Sequence, residues 1–160
     1  MDSLIRLVGQ YFFLISVVIV AIYWLRAKLS VKYSLGWQLV AGGAVALALD
    51  LIGGKLYYHT RPFVSEHIVP IIAHAADNGF PSDHAMLTSF LAFTMFLYSR
   101  RTAAVLLVNA LLVSWARVAA HIHSPLDIAG GFVFAAIGVA VAYYVAKAWR
   151  RGRHAPSWRS

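Results

Sequence analysis

The chain contains no cysteine among its 160 residues, which excludes disulfides and thiolate chemistry and removes any clue to redox compartment. Charge is scarce too. Only 12% of residues are charged against 61% hydrophobic, and the mean hydropathy is +0.70. A soluble domain of this length needs far more polar surface, so the class is integral membrane. Acidic residues are the rarest charge: six against fourteen Lys and Arg, a net +8. In a soluble chain that excess could point to nucleic acid. Here the cations fall mostly between apolar stretches, which points to membrane orientation and away from a nucleic-acid partner. The chain also lacks internal repeats and low-complexity tracts. No small-residue cleavage site follows the first apolar stretch, which therefore reads as a retained helix rather than a signal peptide.

A spanning helix needs roughly 17–25 mostly apolar residues. Five segments qualify or nearly do: about Leu4–Leu25, Leu35–Tyr57, His84–Tyr98, Thr102–Ala120 and Leu126–Trp149. The expected fold is all-α, a polytopic membrane helix bundle of about five transmembrane helices. It forms a single integral-membrane domain over 1–160, with core motifs in 55–127 and a basic tail in 150–160. Asp50 lies inside the second segment with no assignable partner. Arg26, Lys28, Lys32, Arg100, Arg101, Lys147, Arg150, Arg151, Arg153 and Arg159 group on one side of such a bundle, leaving Arg6, Lys55, Arg61 and Arg117 on the other. The richer side should be cytoplasmic. That gives an outside N-terminus and a cytoplasmic C-terminus, and puts every histidine except His154 on the outer side. Between Phe63 and Ala76 the mixed pattern suggests a short interfacial helix broken near Pro70. Asn78-Gly79 and Pro81 then turn into the third helix, with Ser82 as its N-cap.

Three segments carry chemistry, and topology brings them to one membrane face: Lys55-x5-Arg61-Pro62, Pro81-Ser82-Asp83-His84, and Arg117-x5-His123-x3-Asp127. Cleaving a phosphate ester needs a cradle for anionic oxygens, a nucleophile and a proton donor for the leaving oxygen. Arg61 and Arg117 can hold phosphate oxygens in pairs, and Lys55 adds a point charge. Ser82 and the first N–H groups of the third helix make an anion site. His123 and His84 are the candidate nucleophile and proton carrier. If the junction from His123 to Asp127 is helical, the carboxylate shares a face with the imidazole and fixes its tautomer. Each residue has a plainer reading. Lys55 and Arg61 could be interfacial anchors, Ser82 and Pro81 a helix start, His123 and Asp127 a structural pair. His121 reads as filler, and His59, His67 and His74 as loop or interfacial residues.

In this order the three segments resemble the signature of the type 2 phosphatidic acid phosphatase superfamily, and the run from His74 to His84, with Asp83 before the histidine, is similar to its bacterial undecaprenyl-diphosphatase branch. The resemblance implies that Lys55, Arg61 and Arg117 bind phosphate, together with Ser82 and Asp83. It implies that His84 is the general acid, and His123, supported by Asp127, the nucleophile of a phosphohistidine intermediate. No metal or other cofactor is implied. The implied reaction is removal of the terminal phosphate of undecaprenyl diphosphate, recycling a cell-wall carrier lipid, in the bacterial inner membrane with the site facing the periplasm or exterior. The implied partners are that lipid and the bilayer, with oligomeric state left open. A broader lipid phosphatase acting on phosphatidylglycerophosphate or phosphatidic acid is the alternative. A haem- or metal-binding protein and an inactive scaffold are the readings from other classes. Two positions depart from the pattern. Five residues rather than six separate Lys55 from Arg61, so Gly54 holds the usual lysine position, and Ala116 stands where a serine usually precedes the arginine.

Overall fold

The computed structural model describes residues 1–153; His154 and the rest of the basic tail, Arg159 included, lie outside the described residues. The described chain is helical, with one isolated antiparallel bridge, Thr60 to Asn78, and no strand. The helices are α1 (Asp2–Tyr11), α2 (Phe13–Arg26), α3 (Leu29–Trp37), α4 (Gly43–Leu56), α5 (Pro62–Ser65), α6 (Asp83–Phe96), α7 (Arg100–Ala119) and α8 (Pro125–Arg153). A π-helical turn, Gln38–Gly42, joins α3 to α4.

Among the described residues, four stretches are long and apolar enough to cross a membrane: Asp2–Arg26, Leu29–Leu56, Arg100–Ala119 and Pro125–Arg151. The expected fifth crossing is α6, and it differs in kind. Its 14 residues measure only about 21 Å at the helical rise, against a hydrocarbon core of roughly 30 Å. It is an inner helix, packed chiefly between α7 and α8 and touched by α2 and α4. Thr88 and Ser89, buried on it, bond back to the carbonyls of His84 and Ala85. These two hydroxyls are thereby satisfied within their own helix, as an apolar surrounding favours, whereas Thr94 Oγ1 on the same helix is buried without a hydrogen bond.

Burial between helices that already sit in lipid gains little from the hydrophobic effect, so close packing and polar contacts hold the bundle. Around α6, Leu35, Phe90, Met95, Leu106 and Val139 form one core. Asn109 reaches from α7 to the break between α1 and α2, donating to the Phe12 carbonyl and to Ser16 Oγ, both at 2.9 Å. A second, smaller core lies beneath the loops at the other end, where Ile5 and Val8 of α1 meet Ile72, Ala116 and Ile122.

The long loop is less helical than the sequence suggests. The expected interfacial helix is confined to Pro62–Ser65, and His67 follows at φ +55°, a left-handed conformation that ends it. The remainder to Ser82 is irregular, with Ile72 docked into the second core.

Candidate active site

Two helix ends aim the third segment. The chain leaves α7 through a Schellman motif: Ile122 N–H donates to the Arg117 carbonyl, His121 N–H to that of Val118, and His121 is left-handed at φ +59°. Glycine is usual at that position, and histidine is among the other residues that adopt it more readily. The reversal folds His123 back over Arg117. Then α8 opens with a capping box. Ser124 Oγ accepts from Asp127 N–H at 3.3 Å, and Asp127 Oδ2 accepts from Ser124 N–H at 2.7 Å, with Pro125 at the first helical position.

The first segment is placed by Asn78, all of whose side-chain groups are used. Its oxygen accepts from the N–H of His59 and of Phe80, and its amide donates to the carbonyls of Gly54 and Tyr57. The second segment is tied to the third by Ser82 N–H donating to the Asp127 carbonyl at 3.1 Å. That approach requires glycine on α8. A Cβ at Gly131 would lie 2.8 Å from the Ser82 carbonyl oxygen, and one at Gly130 would enter the Phe80 ring.

These constraints converge on His123, which is 3% exposed. Its Nδ1 lies 2.9 Å from the Gly79 carbonyl oxygen, which can only accept, so Nδ1 carries the proton. The unprotonated Nε2 faces two guanidinium groups, Arg117 Nη2 at 3.2 Å and Arg61 Nη1 at 3.4 Å. Burial first, then the charges of Arg117 and Arg61, hold this imidazole below its ordinary pKa against the opposing influence of Asp127, and so keep it neutral. A phosphoryl group that draws these guanidinium donors onto its own oxygens would leave the Nε2 lone pair facing phosphorus.

Arg61 is fixed by the protein itself. Nε donates to Asp77 Oδ1 at 2.8 Å, Nη1 to the Ile122 carbonyl at 2.8 Å and Nη2 to that of Asn78 at 2.9 Å. Arg117 is equally buried but less occupied: Nη1 reaches the Gly9 carbonyl at 3.4 Å, and Nε makes no hydrogen bond. Ser82 Oγ is likewise buried and unpaired. The structure thus corrects its expected capping role. Ser82 occupies the N-cap position, but its hydroxyl caps nothing. Unpaired buried donors are uncommon in folded proteins and suit a site that receives an anion.

His84, in the first turn of α6, is half-buried, with its ring edge-on to Phe13 at 5.0 Å between centroids and within electrostatic range of Arg117 and His123. Asp127 departs from the expected geometry. The junction is not helical, since α8 begins only at Pro125. The carboxylate lies 3.6 Å from His123 Nδ1, beyond hydrogen-bond length, and bonds instead to Ser124 N–H and to His59 Nδ1, both at 2.7 Å. Lys55 is exposed at the end of α4 and makes no hydrogen bond or ion pair among the described residues, so it is not brought into the cluster. The neighbouring Gly54 instead faces Phe80 and Pro81. Asp83 is exposed and lies against the carboxyl group of buried Asp50.

Sequence reasoning passed over His59, Asp77 and His74. The first holds Asp127 and the second holds Arg61. The His74 ring stands edge-on to that of His123 at 6.3 Å between centroids. A signal existed for His59. In an extended segment, residues two apart share a face, so His59 accompanies Arg61. His121 pairs at 3.4 Å with Glu66 on the surface, and its backbone shapes the α7 end. Among the described residues no group of three or more His, Cys, Asp or Glu side chains is arranged to hold a metal ion.

Fold and site together define a helical membrane protein with a histidine set in an arginine cradle at one end of its bundle. The chain belongs to the PAP2 superfamily, whose profile matches residues 32–151. It is 38% identical over 106 residues to the "Putative undecaprenyl-diphosphatase YbjG" of Escherichia coli (strain K12), covering 63% of this chain and 54% of that protein. It is 30% identical over 146 residues to the "Bacitracin transport permease protein BcrC" of Bacillus licheniformis, covering 91% of this chain and 70% of that one. The "Undecaprenyl-diphosphatase BcrC" of Bacillus subtilis (strain 168) is 28% identical over 137 residues, covering 86% and 70%. The chain thus spans about half the length of the first relative. No solved structure matches it.

Proposed function

We propose that this protein is a membrane lipid phosphatase that removes the terminal phosphate of undecaprenyl diphosphate through a phosphohistidine on His123. The observation that carries the reading is the orientation of that imidazole, with Nδ1–H on the Gly79 carbonyl and Nε2 unprotonated between Arg61 and Arg117. The relatives named as undecaprenyl-diphosphatases support the substrate.

The terminal phosphoryl group would settle against Arg117, Arg61 and Ser82 Oγ. The Nε2 lone pair attacks phosphorus and the bridging P–O bond breaks. His84, which burial and then the charge of Arg117 hold below the ordinary histidine pKa, takes up a proton against the negative charge of the bound diphosphate and gives it to the departing lipid phosphate. Water then attacks phosphorus, His84 takes its proton, the P–N bond breaks and inorganic phosphate leaves. Arginine donors fixed in place before the reaction stabilise charge without reorganising. Asp127 acts at one remove, by holding the α8 start and His59. Because the cations concentrate at the opposite end of the bundle, the site would face the exterior or periplasm of a bacterial inner membrane.

The test is phosphate release by purified protein from undecaprenyl diphosphate, phosphatidylglycerophosphate and phosphatidic acid, with His123→Ala as the blank. Preference for the diphosphate that vanishes in the variant supports the proposal. Equal rates on all three would make the protein a general lipid phosphatase, and release undiminished in the variant would remove His123 as nucleophile.

A further inference from the structure

The end of the bundle away from His123 holds a cleft of about 540 Å³ between α3, the end of α6 and the last turns of α8. Its floor is polar. Gln38 is buried there and donates from its amide to the Val139 carbonyl at 2.7 Å, while Ser34 Oγ and the Tyr98 hydroxyl share a hydrogen bond of 3.0 Å. Its rim carries Lys147, Arg150 and Arg151. A second cavity of about 500 Å³ continues along the α3–α8 seam past Trp37, sharing Ser34, Ala146 and Arg150, and is mainly apolar. The π-helical turn begins at Gln38, and such turns occur often at functional sites.

Among the described residues the rim cations meet no carboxylate. The chain's acids are Asp2, Asp50, Glu66, Asp77, Asp83 and Asp127, none of them between residues 3 and 49 or after 127. None lines the cleft, and among the described residues Lys147, Arg150 and Arg151 form no ion pair. Among the described residues nothing supplies a counter-charge there. A free phosphate would meet the cations and leave the apolar seam uncovered. A lipid phosphate meets the cations and lays its chain along the seam. We propose that this cleft binds one anionic phospholipid, its phosphate among Lys147, Arg150 and Arg151 and its first acyl carbons beside Trp37.

The test is native mass spectrometry of detergent-purified protein titrated with phosphatidylglycerol, with phosphatidylcholine of the same chains and inorganic phosphate as separate arms. The expected result is one retained phosphatidylglycerol, weakened about tenfold or more by Lys147→Gln/Arg150→Gln/Arg151→Gln. Arg26→Gln/Lys28→Gln/Lys32→Gln, which removes equal charge from the same end, should change it by less than about twofold. Ala146→Phe, which keeps every charge and fills the cleft, should weaken binding as the rim variant does. Equal loss in both charge variants, full retention in Ala146→Phe, equal retention of phosphatidylcholine, or displacement of the lipid by inorganic phosphate would each overturn the proposal.

Discussion

Replacing Asp127 by Asn separates two ways of holding the nucleophilic imidazole. In a serine–histidine–aspartate triad the carboxylate holds the histidine tautomer, and its Asn variant loses about 10⁴ in kcat. Here the Gly79 carbonyl is at 2.9 Å from His123 Nδ1 and the Asp127 carboxylate at 3.6 Å. The backbone oxygen holds the proton in place, so the tautomer survives the substitution. What Asp127→Asn removes is a charge buried beside His59 and Ser124. An Asn oxygen still accepts from Ser124 N–H, and His59, part-exposed, can change tautomer to accept from the new amide. The expected loss is therefore about 1 kcal/mol of stability and roughly 10–100-fold in kcat, from a His123 no longer electrostatically supported. Phosphate release under saturating substrate, with thermal unfolding in the same detergent, measures both. A fall near 10⁴-fold with unfolding unchanged would show that Asp127, not Gly79, fixes the tautomer.

The acidic side of the pH dependence follows from His123. Its neutral form is the nucleophile, and burial lowers its pKa, so kcat/KM should persist as pH falls through about 6.5, the ordinary histidine value. An acidic limb at or above that value would contradict the environment described. His84→Ala should lose about 10²–10⁴-fold in kcat, the scale of a general acid or base, with its unfolding temperature little changed. Lys55→Ala should leave kcat and KM within about threefold, since surface cations without partners contribute little; a larger loss would mean the substrate itself draws Lys55 inward.

The helices were legible because apolar length suffices to find a spanning segment, and the three segments because their residue types have few other reasons to stand at helix ends. What could not be read was geometry set by backbone. His123 to Asp127 has the spacing of one helical face, yet Ser124 and Pro125 restart the helix between them, and the capping box that does so was readable as Ser-x-x-Asp. The Gly79 carbonyl has no sequence signature at all. Asn78 reads only as a turn former, whereas its amide ties four backbone groups together. The short α6 runs from the His123 end of the bundle to the cation-rich end wrapped by other helices, and apolar content reports burial without saying whether protein or lipid surrounds it.

The two arginines, alike in sequence, differ in what the fold has already asked of them. Arg61 donates to one carboxylate and two carbonyls, so it closes the loop over the α7–α8 junction before any phosphate arrives. Arg117 retains an unpaired Nε and a single long bond to a carbonyl. Lysine keeps the charge and loses the fork. Arg61→Lys should therefore leave at least one buried carbonyl unpaired, at about 1–3 kcal/mol, and fall in unfolding temperature as well as rate. Arg117→Lys should keep its unfolding temperature nearly unchanged and lose about 10²–10³-fold in kcat, the scale of a missing transition-state donor. Melting and turnover of the two variants under the same conditions test the division, and equal destabilisation by both would show that Arg117 is as much a structural tie as Arg61.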